Sequence, residues 1–263
     1  MNKNIKLYFG DCLEGMAKLP DKSIDMILCD LPYGSTRSKW DKIIPFEELW
    51  KQYIRITKEN SAIVLFGNEP FSSLLRSSNL DMYKYDWKWL KNNVTGFTNA
   101  NYRPMKVYED ICVFSKTGAS SGGKNNPMKY YPQGLIEVNK PKKNTAKRMG
   151  LITYANTNIN KDNIMLKEGS EYIQKYTNYP VNILQFDGDS KKVHPTQKPV
   201  TLLEYLIKTY TKENEIVLDN CMGSGSTGVA CIHTNRKFVG MEKDEKYYNI
   251  AKDRIEKENE VHG

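Results

Sequence analysis

The segment Ile24-Asp25-Met26-Ile27-Leu28-Cys29 constrains this chain most. It is short, mainly apolar and partly β-branched, as in a strand buried on both faces. Such strands belong to parallel sheets covered by helices. Pro32 lacks a backbone N–H and fixes its own φ, so the strand must stop there. Similar runs recur at Ser61–Gly67 and Glu215–Asp219. Helical spacing is found between the runs, at Cys12–Leu19, over Phe46, Leu49, Trp50, Tyr53, Ile54 and Ile56 behind Pro45, and at Glu69–Ser77 and Ser226–His233. Alternating β and α segments predict an α/β fold, doubly wound around a mostly parallel sheet.

From residue 117 to about 185 the pattern dissolves into Lys, Asn, Tyr, Gly and Pro, and it resumes at Pro199. One core is therefore expected in two halves, 1–116 and 191–263, with a small recognition module, 117–190, inserted between them. The net charge of +8 is concentrated near the start of this insert. Between Lys116 and Gly150 eight basic residues face one acid, Glu137, a net +7. Tyr130, Tyr131 and asparagines are interleaved with the charge, a composition suited to nucleic acid. Lys129, Lys142, Lys143, Lys147 and Arg148 are the expected DNA contacts. Hydrophobic content of 39% and charged content of 27% are ordinary for a soluble globular protein. No apolar stretch is long enough to span a bilayer, and Met1–Asn4 does not open a signal peptide. The five cysteines form no CxxC pair and read as reduced core thiols, so no metal is expected.

Asp30-Leu31-Pro32-Tyr33-Gly34 follows the first buried strand. By composition alone it is a strand-ending turn. At the carboxyl edge of an open α/β sheet, however, it also presents a carboxylate, a backbone carbonyl and an aromatic ring where such folds bind ligands. The two oxygens suit both hydrogens of an amine, and the ring suits a flat heterocycle. The loop from Ser35 to Lys42 comes next, with Arg37 and Lys39 placed to meet phosphates.

A second constellation lies late in the chain. Asp219-Asn-Cys-Met-Gly223-Ser224-Gly225-Ser-Thr227-Gly228 connects a strand to a helix, and Glu242 ends a further strand 19 residues after Gly223. Glycines let backbone N–H groups approach a ligand, and the spaced acid suits ribose hydroxyls. This pattern alone does not separate a dinucleotide from S-adenosylmethionine. His194-Pro-Thr196-Gln197-Lys198-Pro199 offers a hydroxyl, an amide and a cation in one rigid turn, a receptor for an amino-acid carboxylate. An NAD-binding oxidoreductase would explain Gly223–Gly228 and Glu242 but not Asp30–Gly34. A non-catalytic DNA-binding module would explain the insert alone.

Together with Gly10-Asp11-Cys12-Leu13-Glu14, these motifs resemble the DNA amino-methyltransferases that modify adenine N6 or cytosine N4, in their β-type motif order. The resemblance implies a seven-stranded sheet and S-adenosylmethionine as cofactor. Asp30, Leu31, Pro32 and Tyr33 would be catalytic, with Asp30 also bordering the cofactor. Asp11 and Cys12 would lie near the cofactor's adenine, although Asp11 also suits a helix N-cap. Glu242 would meet the ribose. Asp219, Gly223, Ser224, Gly225 and Thr227, with Thr196, Gln197 and Lys198, would hold the methionine part. Leu31 departs from the more usual Pro-Pro, but its carbonyl is the group required. Asp in the first catalytic position goes mostly with adenine, leaving N4-cytosine as the alternative. The implied substrate is double-stranded DNA, in the cytoplasm and nucleoid of a bacterial or phage-infected cell. A homodimer and a separate restriction endonuclease acting on the same site are compatible partners.

Overall fold

The structure, a computed structural model, describes residues 4–35, 41–120, 126–143, 171–188 and 197–262. The first half runs β1 (Ile5–Phe9), α1 (Cys12–Ala17), β2 (Ile24–Cys29), α2 (Phe46–Ile56), β3 (Thr57–Gly67), α3 (Phe71–Ser77), β4 (Tyr83–Thr95) and β5 (Lys106–Phe114). There follow β6 (Ile136–Lys143), β7 (Glu171–Thr177) and β8 (Ile183–Gln185). The chain closes with α4 (Val200–Tyr210), β9 (Ile216–Asp219), α5 (Ser226–His233), β10 (Lys237–Glu242) and α6 (Glu245–His262).

The main sheet has the order β1-β10-β9-β2-β3-β5-β4-β8. From β1 through β3 the pairs are parallel, while β5 is antiparallel to both β3 and β4. It has eight strands where seven were expected. The eighth, β8, comes from the predicted insert and pairs in parallel with β4. Only Leu184 of its three residues is buried, too little for a period-two pattern to be read. The insert's start also belongs to the core. Met128 is buried, the Lys129 N–H donates to the Asn60 carbonyl at 3.0 Å, and the Tyr131 N–H to the Thr209 carbonyl at 2.7 Å. Strands β6 and β7 form a separate antiparallel pair.

Pleating sorts the buried strand residues into two cores. Met26, Leu28, Val64 and Phe66 pack with Leu202, Leu206, Tyr210, Val229 and Ile255 of α4, α5 and α6. Ile27, Cys29, Ile63 and Leu65 pack with Met16, Leu49, Trp50, Tyr53 and Phe71 of α1, α2 and α3. Helix α2 buries Leu49, Trp50, Tyr53 and Ile56, one stripe at helical spacing, and starts with Glu47 and Glu48 against its positive end. Near its other end the Arg55 guanidinium donates to the carbonyls of Met16 and Leu19, each at 2.7 Å, tying down α1. No described helix is long and apolar enough to cross a membrane.

This winding places β2 beside β9, with Ile27 opposite Leu218. From β2 the chain proceeds outward to β3, and from β9 it proceeds the other way to β10. The connections therefore diverge and leave a crevice at the carboxyl ends of β2 and β9, where open α/β sheets bind ligands.

Candidate active site

A cavity of about 460 Å³ opens at that crevice. Asp30, Leu31, Pro32 and Tyr33 line one wall, and Asp219, Gly223, Ser224, Thr227 and Glu242 line the other, with Asp11 and Cys12 beside them. Two stretches almost 190 residues apart in sequence thus share one space.

The Asp30–Gly34 turn is braced from inside. The Tyr33 hydroxyl donates to Asp30 Oδ1 at 2.6 Å, while its ring stacks on Phe71 with centroids 4.8 Å apart. Burial, with the nearby charges of Asp30 and Glu109, raises the Tyr33 phenol well above its ordinary range, so it remains a donor. Asp41 Oδ1 accepts from the Gly34 N–H at 2.8 Å, fastening the end of the following loop to the turn.

Lys198 takes a place the sequence did not indicate. Its Nζ donates to Asp30 Oδ2 at 2.5 Å and lies 3.3 Å from Glu109 Oε2. The side chain is buried, which disfavours its charge, yet Asp30 and Glu109 hold the ammonium above the usual lysine range. Lys198 lines the cavity, as expected of a cofactor residue, but its cation faces the Asp30 carboxylate. Glu109 itself was missed. Burial would raise its carboxyl, but Lys198 and Lys91 together hold it below the ordinary range, Lys91 Nζ donating to Oε1 at 2.6 Å. The available signal was the acidic pair Glu109-Asp110 inside the strand-like run Val107–Phe114, which the antiparallel β4–β5 hairpin brings to the sheet's carboxyl edge.

The opposite wall is built for a bound ligand. Gly223 has φ +50°, and a Cβ there would meet nothing within 4 Å. Its N–H donates to Glu242 Oε2 at 2.9 Å, and the Asp244 N–H to Oε1 at 2.9 Å. Gly228 answers a different need: a Cβ would collide with Ile255 and Phe238, so glycine lets α5 pack closely on α6 and β10. Asp219 accepts from the Thr227 hydroxyl at 2.6 Å and the Cys221 N–H at 3.1 Å, and burial pushes its carboxyl up to about 6. Gly225 has φ +80° as the residue preceding α5. Asp11 caps α1, accepting from the Leu13 N–H at 2.8 Å, and Gln197 also lines the cavity. All five cysteines are free thiols; hydrogen bonding with Cys221 and burial drive Cys12 far upward, and burial pushes Cys29 to about 12. None is set up as a nucleophile.

The basic residues expected to meet DNA divide. Lys142 and Lys143 are exposed on β6. Lys129 requires correction: its Nζ donates to Asp25 Oδ1 at 2.9 Å and Glu215 Oε1 at 2.6 Å, at the amino edge of the sheet. Two acids neutralise it on the edge remote from the cavity. Tyr130 and Tyr131 likewise pack beside the core, against Tyr210 and Lys212. Arg37, Lys39, Lys147, Arg148 and Thr196 lie outside the described residues.

Such a crevice belongs to the doubly wound α/β enzymes that bring a nucleotide-like ligand and a second substrate together over the sheet edge. More narrowly, a family model described as DNA methylase, of the N6/N4 type, matches residues 24–253, and the chain belongs to that family. It is 28% identical to the Type II methyltransferase M2.DpnII of Streptococcus pneumoniae, over 99% of this chain and 93% of that protein. It is 24% identical to the DNA adenine methyltransferase YhdJ of Escherichia coli, over 97% and 84%. Among solved structures it is similar to an M1.HpyAVI–SAM complex, with a TM-score of 0.58 and 25% identity over 95% of this chain and 99% of that one. The chain is thus a DNA methyltransferase with a class I, Rossmann-like fold.

Proposed function

We propose that this chain transfers a methyl group from S-adenosylmethionine to the N6 amine of an adenine swung out of duplex DNA. The observation that carries this reading is the Asp30 carboxylate, braced by Tyr33 and Lys198 in the cavity that the Gly223 loop also lines. The open backbone at Gly223, the Glu242 carboxylate and the Asp11 turn fit a ligand of this kind. Asp11 and Cys12 would border its adenine, Glu242 its ribose hydroxyls, and the Asp219–Thr227 loop with Gln197 its methionine end. When bound, it supplies an electrophilic methyl group on a sulfonium.

The amine's lone pair is delocalised into the ring, so the chain must align a poor nucleophile. Asp30 and the Leu31 carbonyl accept the two amine hydrogens and turn the lone pair toward the methyl carbon. Lys198 donates to Asp30 Oδ2 and fixes the carboxylate against the cavity wall. As the N–C bond forms and the methyl–sulfur bond breaks, its electron pair staying on sulfur as a neutral thioether, Asp30 receives the proton lost by the amine. Tyr33 fixes the carboxylate and offers its ring as a wall to the base. Glu109 and Lys91 position Lys198. Extruding the base costs a few kcal/mol, which DNA contacts must offset. Arg37, Lys39, Lys142, Lys143, Lys147 and Arg148 are assigned to phosphates. The Type II relatives support a modification role beside a restriction endonuclease of the same specificity.

Treated DNA should be digested to nucleosides for mass spectrometry, and the modified sites mapped by sequencing. N6-methyladenine at one recurring sequence is the expected result. N4-methylcytosine would replace the adenine reading, and unmodified DNA would refute both. Calorimetry should show binding of S-adenosylmethionine but not of NAD.

A further inference from the structure

The β4–β5 hairpin ends in a group of side chains that stand exposed among the described residues. Val94, Phe97, Tyr102 and Met105 are 52%, 83%, 89% and 41% exposed. Isolated apolar side chains on a surface are normal, but aromatic and aliphatic groups gathered on one loop mark a contact site. The position of the loop identifies the partner. Asn92, Asn93 and Thr95, at the end of β4, line the catalytic cavity, and Phe97 follows two residues later, where left-handed Gly96 turns the chain into a short 3-10 turn over Phe97–Asn99. The tip therefore directly adjoins a strand end that lines the cavity. From Trp87 to Tyr108 there is no acid to repel phosphate, and Arg103 is exposed at the tip. Thr98, Asn99 and Asn101 surround the rings with groups able to donate to and accept from base edges.

We propose that Phe97 and Tyr102 form the wedge that enters the duplex beside the extruded base, stacking in the gap it leaves, with Arg103 on the adjoining backbone. This rests on the base-extruding methylation described above. A base leaving a duplex gives up stacking on both neighbours, and a planar ring inserted there restores part of it. The same tip then couples binding to extrusion. The apolar rings meet only a duplex that has opened.

The test uses a duplex carrying the mapped recognition site, with 2-aminopurine at the target position to report unstacking. The variant is F97A/Y102A, in which no residue of the catalytic turn or cofactor wall is altered. The expected result is loss of most of the fluorescence rise and a fall of about 10–100-fold in kcat/KM on paired DNA. Placing the target opposite an abasic site, where extrusion is already favoured, should bring the variant to within about threefold of the parent. S-adenosylmethionine affinity should not change, and F97W/Y102W should keep activity on paired DNA. Equal losses on paired and abasic DNA, or an unchanged fluorescence rise, would overturn the wedge. So would dissociation of a dimer in sedimentation with equal losses on both DNAs, which would assign the tip to an interface between copies. If the parent itself methylates no DNA, it is the underlying reaction that fails, not the wedge.

Discussion

Strand β2 has a carboxylate near each end, one buried and one open to the cavity, and the two are treated differently. Near the amino end, Asp25 accepts from Lys58 at 2.8 Å, from Lys129 at 2.9 Å and from the Ile216 N–H at 3.1 Å, and its side chain is 2% exposed. Burial would raise its carboxyl, but those donors hold it below the ordinary range. It joins β2, β3, β9 and the insert, and leaves no face for a ligand. Beyond the carboxyl end, Asp30 has two side-chain partners, Tyr33 and Lys198, and its side chain is 24% exposed into the cavity. The two sites use the same groups, a carboxylate against ammonium ions. Closing every acceptor site makes a structural rivet, and leaving one side open keeps acceptor capacity facing the cavity, as the proposed role of Asp30 requires. Charge pairing alone does not separate them; the geometry around the last lone pairs does.

The largest break in this contrast is Asp30→Asn. The amide keeps the shape but offers one acceptor oxygen and no proton sink, so kcat should fall about 10²–10⁴-fold. Its unfolding midpoint in urea should stay close to the parent's. If the midpoint collapsed as well, Asp30 would be a rivet too. Asp25→Ala should do the reverse. Two ammonium groups and an N–H lose their acceptor, and breaking a buried pair of this kind costs about 3 kcal/mol, or roughly 6–12 °C in Tm. Catalysis per folded molecule should survive; if it were lost while stability held, the contrast would be wrong.

Lys129→Met sharpens the comparison at a smaller scale. It removes one of two cations on Asp25 and should cost about 1–2 kcal/mol of stability, because Lys58 remains. DNA affinity and its salt dependence should be unchanged, whereas loss of a true phosphate contact would lower that slope by about one. A slope lowered by Lys129→Met would restore Lys129 to the DNA interface. Lys142 and Lys143, exposed on β6, are the matched controls.

What was legible in the sequence follows the range of each interaction. The Asp30–Gly34 turn and the Gly223–Gly228 loop are local: Asp30–Tyr33, which follow β2, and Gly223, Ser224, Ser226 and Thr227 around the start of α5 line the cavity, whereas Gly225 packs against Ala251 and Ile255 of α6. Helix α5 has the same bounds in sequence and structure, because Ser226–His233 lies between a glycine turn and a strand. Strand β3 began earlier than its apolar run, since polar Thr57 pairs opposite Ile24. Lys129 misled because a positive charge does not reveal its partner, and Asp25 lies 104 residues away. Glu109 was hidden for the same reason. Its function depends on the register of an antiparallel hairpin, which places Trp89 opposite it and brings Lys91 within reach.

The finest test of the contrast is pH, because Asp219 and Asp25 respond in opposite senses. Burial pushes the Asp219 carboxyl up to about 6, despite bonds from Thr227 and Cys221. A folded-state value above the unfolded one favours folding in the protonated form. That contribution is complete below about pH 4 and lost as pH rises through 6. Asp25, held low, contributes above about pH 4 and loses its contribution only as pH falls further. Between pH 7 and pH 5, stability should therefore rise slightly through Asp219 and be untouched by Asp25, and Asp219→Asn should remove the rise. If Asp219 meets the ammonium of the methionine end, as proposed for the Asp219–Thr227 loop, affinity for S-adenosylmethionine should fall about tenfold in the same window as that carboxylate takes up a proton. Calorimetry at intervals of half a pH unit measures this directly. A flat affinity in the parent would mean that Asp219 serves the cofactor wall as Asp25 serves the amino edge, through its hydrogen bonds rather than its charge.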